Sequence, residues 1–203
     1  MNFLNPDKLK NGVHCSLSEQ QKLLTNLTCT NPVIQTVLES ISDVPCAWIG
    51  AGIIFQNLWN VFHNFPLNLH IKDIDILYFD STDLSWEAEN AYIEQVTQRL
   101  KNIDIPIDIK NIARVHLWYK DKFNIEKKPY QSVEESISTW PVIGACMAIR
   151  KINEQIEFCA PYGFQDAFAM RVRPNKVLVN KDIYENKALC WKKQWPLLSV
   201  FDW

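Results

Sequence analysis

Helical periodicity and two-residue alternation take turns along this chain. Residues 1 to about 18 are polar and unpatterned, which predicts a loosely held arm. From Ser18, read as an N-cap, Leu23, Leu24 and Leu27 fall on one side of a short helix; Asn31-Pro32 starts a second, in which Val33, Ile34, Val37, Leu38 and Ile41 keep three-and-four spacing. Asp43-Val44-Pro45 ends it. A strand-like Cys46 to Ile49 then enters Gly50-Ala51-Gly52, and Ile53 to Phe62 has the length and period of one helix, with Trp59 and Phe62 assigned to the core. After a loop from His63 to Lys72, the run Asp73-Ile74-Asp75-Ile76-Leu77-Tyr78-Phe79-Asp80 reads as a strand.

Asp80 to Asp83 end that strand and cap a helix over Leu84 to Leu100. Ile105 to Tyr119 begins with alternation that puts Asp108, Lys110, Ile112 and Arg114 on one side of a further strand. The charged stretch Asp121 to Lys128 is a surface loop, Ser132 to Ser138 a helix stopped at Trp140-Pro141, and Ile143 to Ile152 with Gln155 to Cys159 a hairpin turning at Asn153-Glu154. A turn at Ala160 to Gly163 leads into a short helix. Asp182 to Trp195 is a basic amphipathic helix whose aromatics suit a core. The expected fold is α+β: a short mixed sheet backed by helices, with a C-terminal hairpin and helices packed on it. It forms one domain over 1–203, with a core of about 30–120 and an extension from about 121 to 203.

Composition narrows the class without changing this outline. Apolar residues make up 47% of the 203 and charged residues 22%, so the chain can bury one sizeable core. A net charge of −2 carries no chain-wide basic footprint for nucleic acid, although a local basic groove is compatible with it. The six cysteines are scattered without a zinc-ligand spacing, and no apolar run is long enough for a membrane span; a cytoplasmic protein with reduced thiols and no membrane partner is expected.

The chemistry concentrates around the second strand. Asp73 and Asp75 are two apart, so their carboxylates share a face, and two anions held side by side call for a cation. Oxygen-only ligands favour a hard ion, Mg²⁺ or Mn²⁺, completed by water and phosphates. Gly50, Ala51 and Gly52 upstream form a turn at a helix start, suited to cradling an anion on backbone N–H groups. If the Asp108 strand lies beside the Asp73 strand, Asp108 supplies a third carboxylate, and Lys110 and Arg114 supply positive charge for a triphosphate.

Five blocks, Trp48-Ile49-Gly50-Ala51-Gly52, Asn57-Leu58-Trp59, Asp73 to Asp80, Lys110-Asn111-x-Ala-Arg114-x-His116 and Ala160-Pro161-Tyr162-Gly163, together resemble a family of small bacterial nucleotidyltransferase-like proteins within the DNA polymerase beta-like nucleotidyltransferase superfamily. The resemblance runs from about residue 25 to the C-terminus. It implies a metal-dependent transfer of a nucleoside monophosphate from a nucleoside triphosphate to a hydroxyl on an unknown acceptor, a small molecule, RNA or protein, with release of pyrophosphate. Asp73, Asp75 and Asp108 would carry metal and catalysis, and Gly50, Ala51, Gly52, Asn57, Lys110 and Arg114 the nucleotide. The alternative is a catalytically inactive nucleotide-binding or adaptor protein on the same fold, and a toxin-like transferase acting on RNA or protein is a third reading.

Overall fold

The computed structural model describes residues 5–44, 46–50 and 52–203. Its first helix, α1 (Pro6–Lys10), has Asn5 as N-cap and buries Leu9 in the main core; a 3-10 turn follows, in which Gly12 is buried. Residues 1–4 of the expected loose arm lie outside the described residues, and from residue 5 onward the arm is tied down: a Cβ on Gly12 would lie 2.4 Å from the Phe168 ring, and Gln20 donates to the Gly12 carbonyl at 2.9 Å. Leu9, the partly buried Val13 and Cys15, and the Gly12 contact hold a segment whose composition is polar. Helix α2 (Leu17–Thr30) is capped two residues before the expected Ser18, because Ser16 and Glu19 form a reciprocal capping box that satisfies two otherwise orphaned N–H groups. Asn31 caps α3 (Pro32–Ser40), whose Ile34, Val37 and Leu38 are buried.

Strand β1 (Trp48–Gly50) leads to α4 (Gly52–Phe62), which carries Trp59 and Phe62 into the core. Strand β2 (Ile74–Tyr78), helix α5 (Trp86–Arg99) and strand β3 (Ile107–Asn111) form a parallel crossover. The expected strand stops there. Asn111 accepts from the Ala113 N–H and donates to the Asp80 carbonyl, so the chain turns through Ile112–Arg114 into α6 (Val115–Phe123), a helix that the alternation of the preceding strand conceals. Then come α7 (Val133–Ile137), the hairpin β4 (Ala148–Ile152) and β5 (Gln155–Cys159), α8 (Gln165–Phe168), β6 (Arg171–Val172), α9 (Lys181–Gln194) and β7 (Ser199–Val200), which pairs with β6 in parallel.

The main sheet has the order β3-β2-β1-β4-β5 and is mixed: β2 and β3 run parallel, the other pairs antiparallel. The C-terminal hairpin thus extends the sheet itself. Residues paired across strands share a face. Ile49, Ile74, Ile76, Tyr78, Ile109 and Ile149 build one face, packed with the buried side chains of α2 to α5. Trp48, Leu77 and Ala148 sit on the other, under Val115 and Tyr119 of α6 and Val133 and Ile137 of α7. No helix among the described residues is long and apolar enough to cross a membrane.

Candidate active site

On the α6 side the sheet carries its polar residues in rows. The register pairs Asp75 with Asp108, and the β1–β2 pairing, Trp48 with Leu77 and Ile49 with Ile76, brings Gly50 level with Asp75. Gly50 makes room: a Cβ there would stand 2.9 Å from the Asp75 Cβ and 3.2 Å from Cη2 of Trp140. Asp75 and Asp73, two apart, open onto a cleft of about 390 Å³ whose walls also include Gly52, Gln56, Ser136, Tyr130 and Trp140. Gly52 is the first residue of α4, so the positive end of that helix meets the cleft beside the Asp73 carbonyl.

The charges of the cleft are uneven. Asp73 and Asp75 are its acidic residues, whereas Lys72, Lys110, Lys122 and Lys187 all line it, in a protein of net charge −2. Lys72 approaches Asp73 at 4.0 Å from an almost fully exposed position. Burial raises Asp75 above the usual carboxylate range, and the negative charges of Asp73 and Asp108 raise it further against the opposing pull of Lys110 and Lys187. Lys187 is an exposed residue on the cleft wall; partial loss of hydration there lowers its ammonium below the usual lysine range, while Asp75 and Asp73 pull it back up. Asp75 is thus the carboxylate that burial and its acidic neighbours leave under-compensated.

The structure brings together part of the expected set. Asp73, Asp75, Gly52 and Lys110 line the cleft. Asp108 is adjacent to Asp75 in register, but its carboxylate is ion-paired with Lys110 and is not on the cleft wall. Among the described residues, no group of three or more His, Cys, Asp or Glu side chains is disposed to hold a metal ion. Arg114 turns away, ion-paired to Glu89 of α5 and donating from Nε to the Leu84 carbonyl at 3.0 Å. Asn57 is fully buried and accepts from Asn31 at 2.6 Å, on the helix side of the sheet. Ala51 lies outside the described residues. His63 is a structural bridge, with Nδ1 2.7 Å from the Trp59 carbonyl and Nε2 accepting from the Leu197 N–H at 3.0 Å.

Two contributors escaped the sequence reading. Lys187 shares one stripe of α9 with Ile183 and Trp191, at four-residue spacing, and all three line the cleft. A lysine in an apolar stripe was the available signal. Trp140, read as a helix stop, lines the cleft with its ring edge against Gly50.

Comparison with known proteins gives two positive findings. A family model described as nucleotidyltransferase matches residues 40–200. A structure solved by NMR, whose title says that it reveals a CCA-adding enzyme head domain, superposes with a TM-score of 0.73 at 20% identity, covering 90% of this chain and 96% of its own. At that identity the superposition speaks to the fold. No curated protein matches the sequence.

Proposed function

Because the chain belongs to the nucleotidyltransferase family, on a polymerase beta-like fold, we propose that it moves a nucleoside monophosphate from a nucleoside triphosphate to an acceptor hydroxyl, releasing pyrophosphate, with a divalent metal ion held by Asp73 and Asp75. The observation that carries this reading is the acid pair itself: two neighbouring carboxylates, one of them driven above its usual range, in a cleft whose other charged residues are lysines. Such a donor set fits Mg²⁺ or Mn²⁺, which takes one or two carboxylates and leaves its other positions to water and phosphate oxygens. When bound, the ion supplies the positive charge that neutralises the phosphates in transfer.

The chain's own groups do the rest. The α4 N-terminus at Gly52 offers backbone N–H groups and a positive dipole end to the phosphates, a role assigned to Gly52 in preference to Gly50, whose missing side chain accommodates Asp75. Lys110 lines the cleft and its charge serves the triphosphate; for Asp108 to accept the proton of the acceptor hydroxyl it must leave Lys110 and turn into the cleft. Tyr130 and Trp140 exclude water from the deep wall. One observation favours the alternative, a nucleotide-binding protein without turnover: Asp108 is already committed to Lys110.

The test is calorimetric binding of each ribonucleoside triphosphate, with and without Mg²⁺ or Mn²⁺, to the wild type and to the Asp73→Asn, Asp75→Asn double variant, followed by a pyrophosphate-release assay. Metal-dependent binding that disappears in the double variant supports the site. Pyrophosphate release separates transfer from binding alone. Absence of triphosphate binding by the wild type overturns the reading.

A further inference from the structure

The cleft has two ends, and β2 sets their order. Asp73 and Asp75 mark one end, next to the start of α4 at Gly52. Leu77 stands two residues further along the same face, about 7 Å at the usual strand rise, and clusters with Val115 and Tyr119 of α6 and with Tyr130. Val115, Trp118, Tyr119 and Lys122 share one side of α6 at three- and four-residue spacing, and all four line the cleft. Trp118 is only partly buried, with the Lys122 ammonium 5.5 Å from its ring centroid. Asp108, by contrast, flanks Asp75 from the β3 side, where an acceptor hydroxyl would be met. A triphosphate with its phosphates at Gly52 and the acid pair therefore extends its nucleoside along β2, toward Leu77 and α6.

Three hydroxyls that line this cleft, those of Tyr130, Ser136 and Thr139, have their protons already placed. Ser136 Oγ donates to the Val133 carbonyl at 2.7 Å, and Thr139 Oγ1 donates to the Ser136 carbonyl at 2.8 Å. Thr139 has no second proton, so in its hydrogen bond with Tyr130 the phenol is the donor. Only lone pairs remain free on these three oxygens. Lys122, on the α6 wall, brings N–H donors and no acceptor.

We propose that the α6 end of the cleft binds the nucleobase of the donor triphosphate, stacked on Trp118, and that the Tyr130, Ser136 and Thr139 hydroxyls select a base with an exocyclic amino group. This rests on the nucleotide-donor reading above. An amino group such as that of adenine donates to the free lone pairs, while the ring nitrogens beside it accept from Lys122. Hypoxanthine, the base of inosine triphosphate, presents a carbonyl at the same position and sets lone pairs against lone pairs. To meet that carbonyl, a hydroxyl would have to give up the bond its proton already makes.

The experiment is calorimetric titration of the full chain, in Mg²⁺, with inorganic tripolyphosphate, ATP and inosine triphosphate in turn. Tripolyphosphate reads the phosphate end alone. ATP is expected to bind about five- to hundredfold more tightly than tripolyphosphate, the range that stacking of one base supplies, and roughly tenfold more tightly than inosine triphosphate. Trp118→Leu should bring ATP down toward tripolyphosphate. Tyr130→Phe, which keeps the ring, should narrow the ratio of ATP to inosine triphosphate, and tripolyphosphate affinity reports whether each variant keeps its fold. Should a variant fail to fold, the wild-type ratios still decide. Equal affinity for ATP and inosine triphosphate, or a preference for ATP untouched by both substitutions, overturns the inference. Wild type that binds tripolyphosphate as tightly as ATP overturns this inference alone, whereas wild type that binds neither overturns the nucleotide-donor reading with it.

Discussion

Replacing Gly50 by alanine adds a single methyl at the most confined point of the site. The new Cβ would stand 2.9 Å from the Asp75 Cβ, 3.2 Å from Trp140 Cη2 and 3.5 Å from the Asp75 carbonyl oxygen. Carbon atoms in contact prefer about 3.5–4.0 Å, so the first contact is short by more than half an ångström. Trp140 can turn, but the Asp75 Cβ is fixed to a strand whose register with β1 is set by Trp48–Leu77 and Ile49–Ile76. Asp75 or the strand must give. Overpacking of this kind costs about 1–3 kcal/mol, and the lower chain entropy of unfolded alanine returns about 0.4–1 kcal/mol. The expected net loss is about 1–2 kcal/mol, a fall in Tm of roughly 2–8 °C for a chain of this size.

Gly52→Ala is the matched comparison. Its Cβ would meet Gln56 Oε1 at 3.8 Å and the Asp73 carbonyl at 3.9 Å, ordinary contacts, at the first residue of α4. That variant should keep or slightly raise Tm, while its methyl intrudes on the phosphate approach and weakens triphosphate binding. Thermal unfolding and Mn²⁺ titration of both variants separate the two glycines. A Gly50→Ala protein with wild-type Tm and wild-type Mn²⁺ affinity would refute the assignment of Gly50 to accommodating Asp75.

Three further outcomes follow from the same geometry. Asp75→Asn should stabilise the metal-free protein at pH 7 while abolishing metal-dependent binding: the folded-state pKa of Asp75 is raised, so its contribution to stability is intact below the unfolded value of about 3.9 and lost as pH rises through the folded value. Urea midpoints of the two proteins should therefore converge toward pH 4 and separate toward neutrality; a constant gap would count against the electrostatic cause. Arg114→Ala leaves Glu89 uncompensated at a largely buried site and should cost about 3 kcal/mol, with triphosphate affinity of the folded protein retained, as isothermal calorimetry can check. Burial pushes the Cys146 thiol from 9.0 to about 12, so its contribution is present below pH 9 and lost between pH 9 and 12. Cys146→Ala should flatten the alkaline fall in stability there by about 1 kcal/mol per pH unit, read from urea unfolding at pH 9.5 and 10.5.

What was legible in the sequence was whatever a strand or helix period could carry. The alternation Ile74, Ile76, Tyr78 against Asp73, Asp75, Leu77 separates the two faces of β2, and the structure packs the first set into the helices and turns the second toward the cleft. Periodicity says nothing about which partner a side chain meets at long range. Lys110 and Arg114 share a parity with Asp108 on paper, yet the Asn111 side-chain bonds end the strand between them, and Glu89 of α5 captures Arg114. Gly50 and Gly52 look alike in a Gly-x-Gly turn and do different work, because one is level with Asp75 across a strand pair and the other opens a helix. Lys187 lies more than a hundred residues from Asp75 in sequence, and its relation to the acid pair exists only once α9 has docked beside α4 through the contacts of Trp191 and Trp195 with Phe55, Trp59 and Asn60. Local pattern thus locates the carboxylates, while Lys187 comes to their cleft only through the aromatic contacts that seat α9.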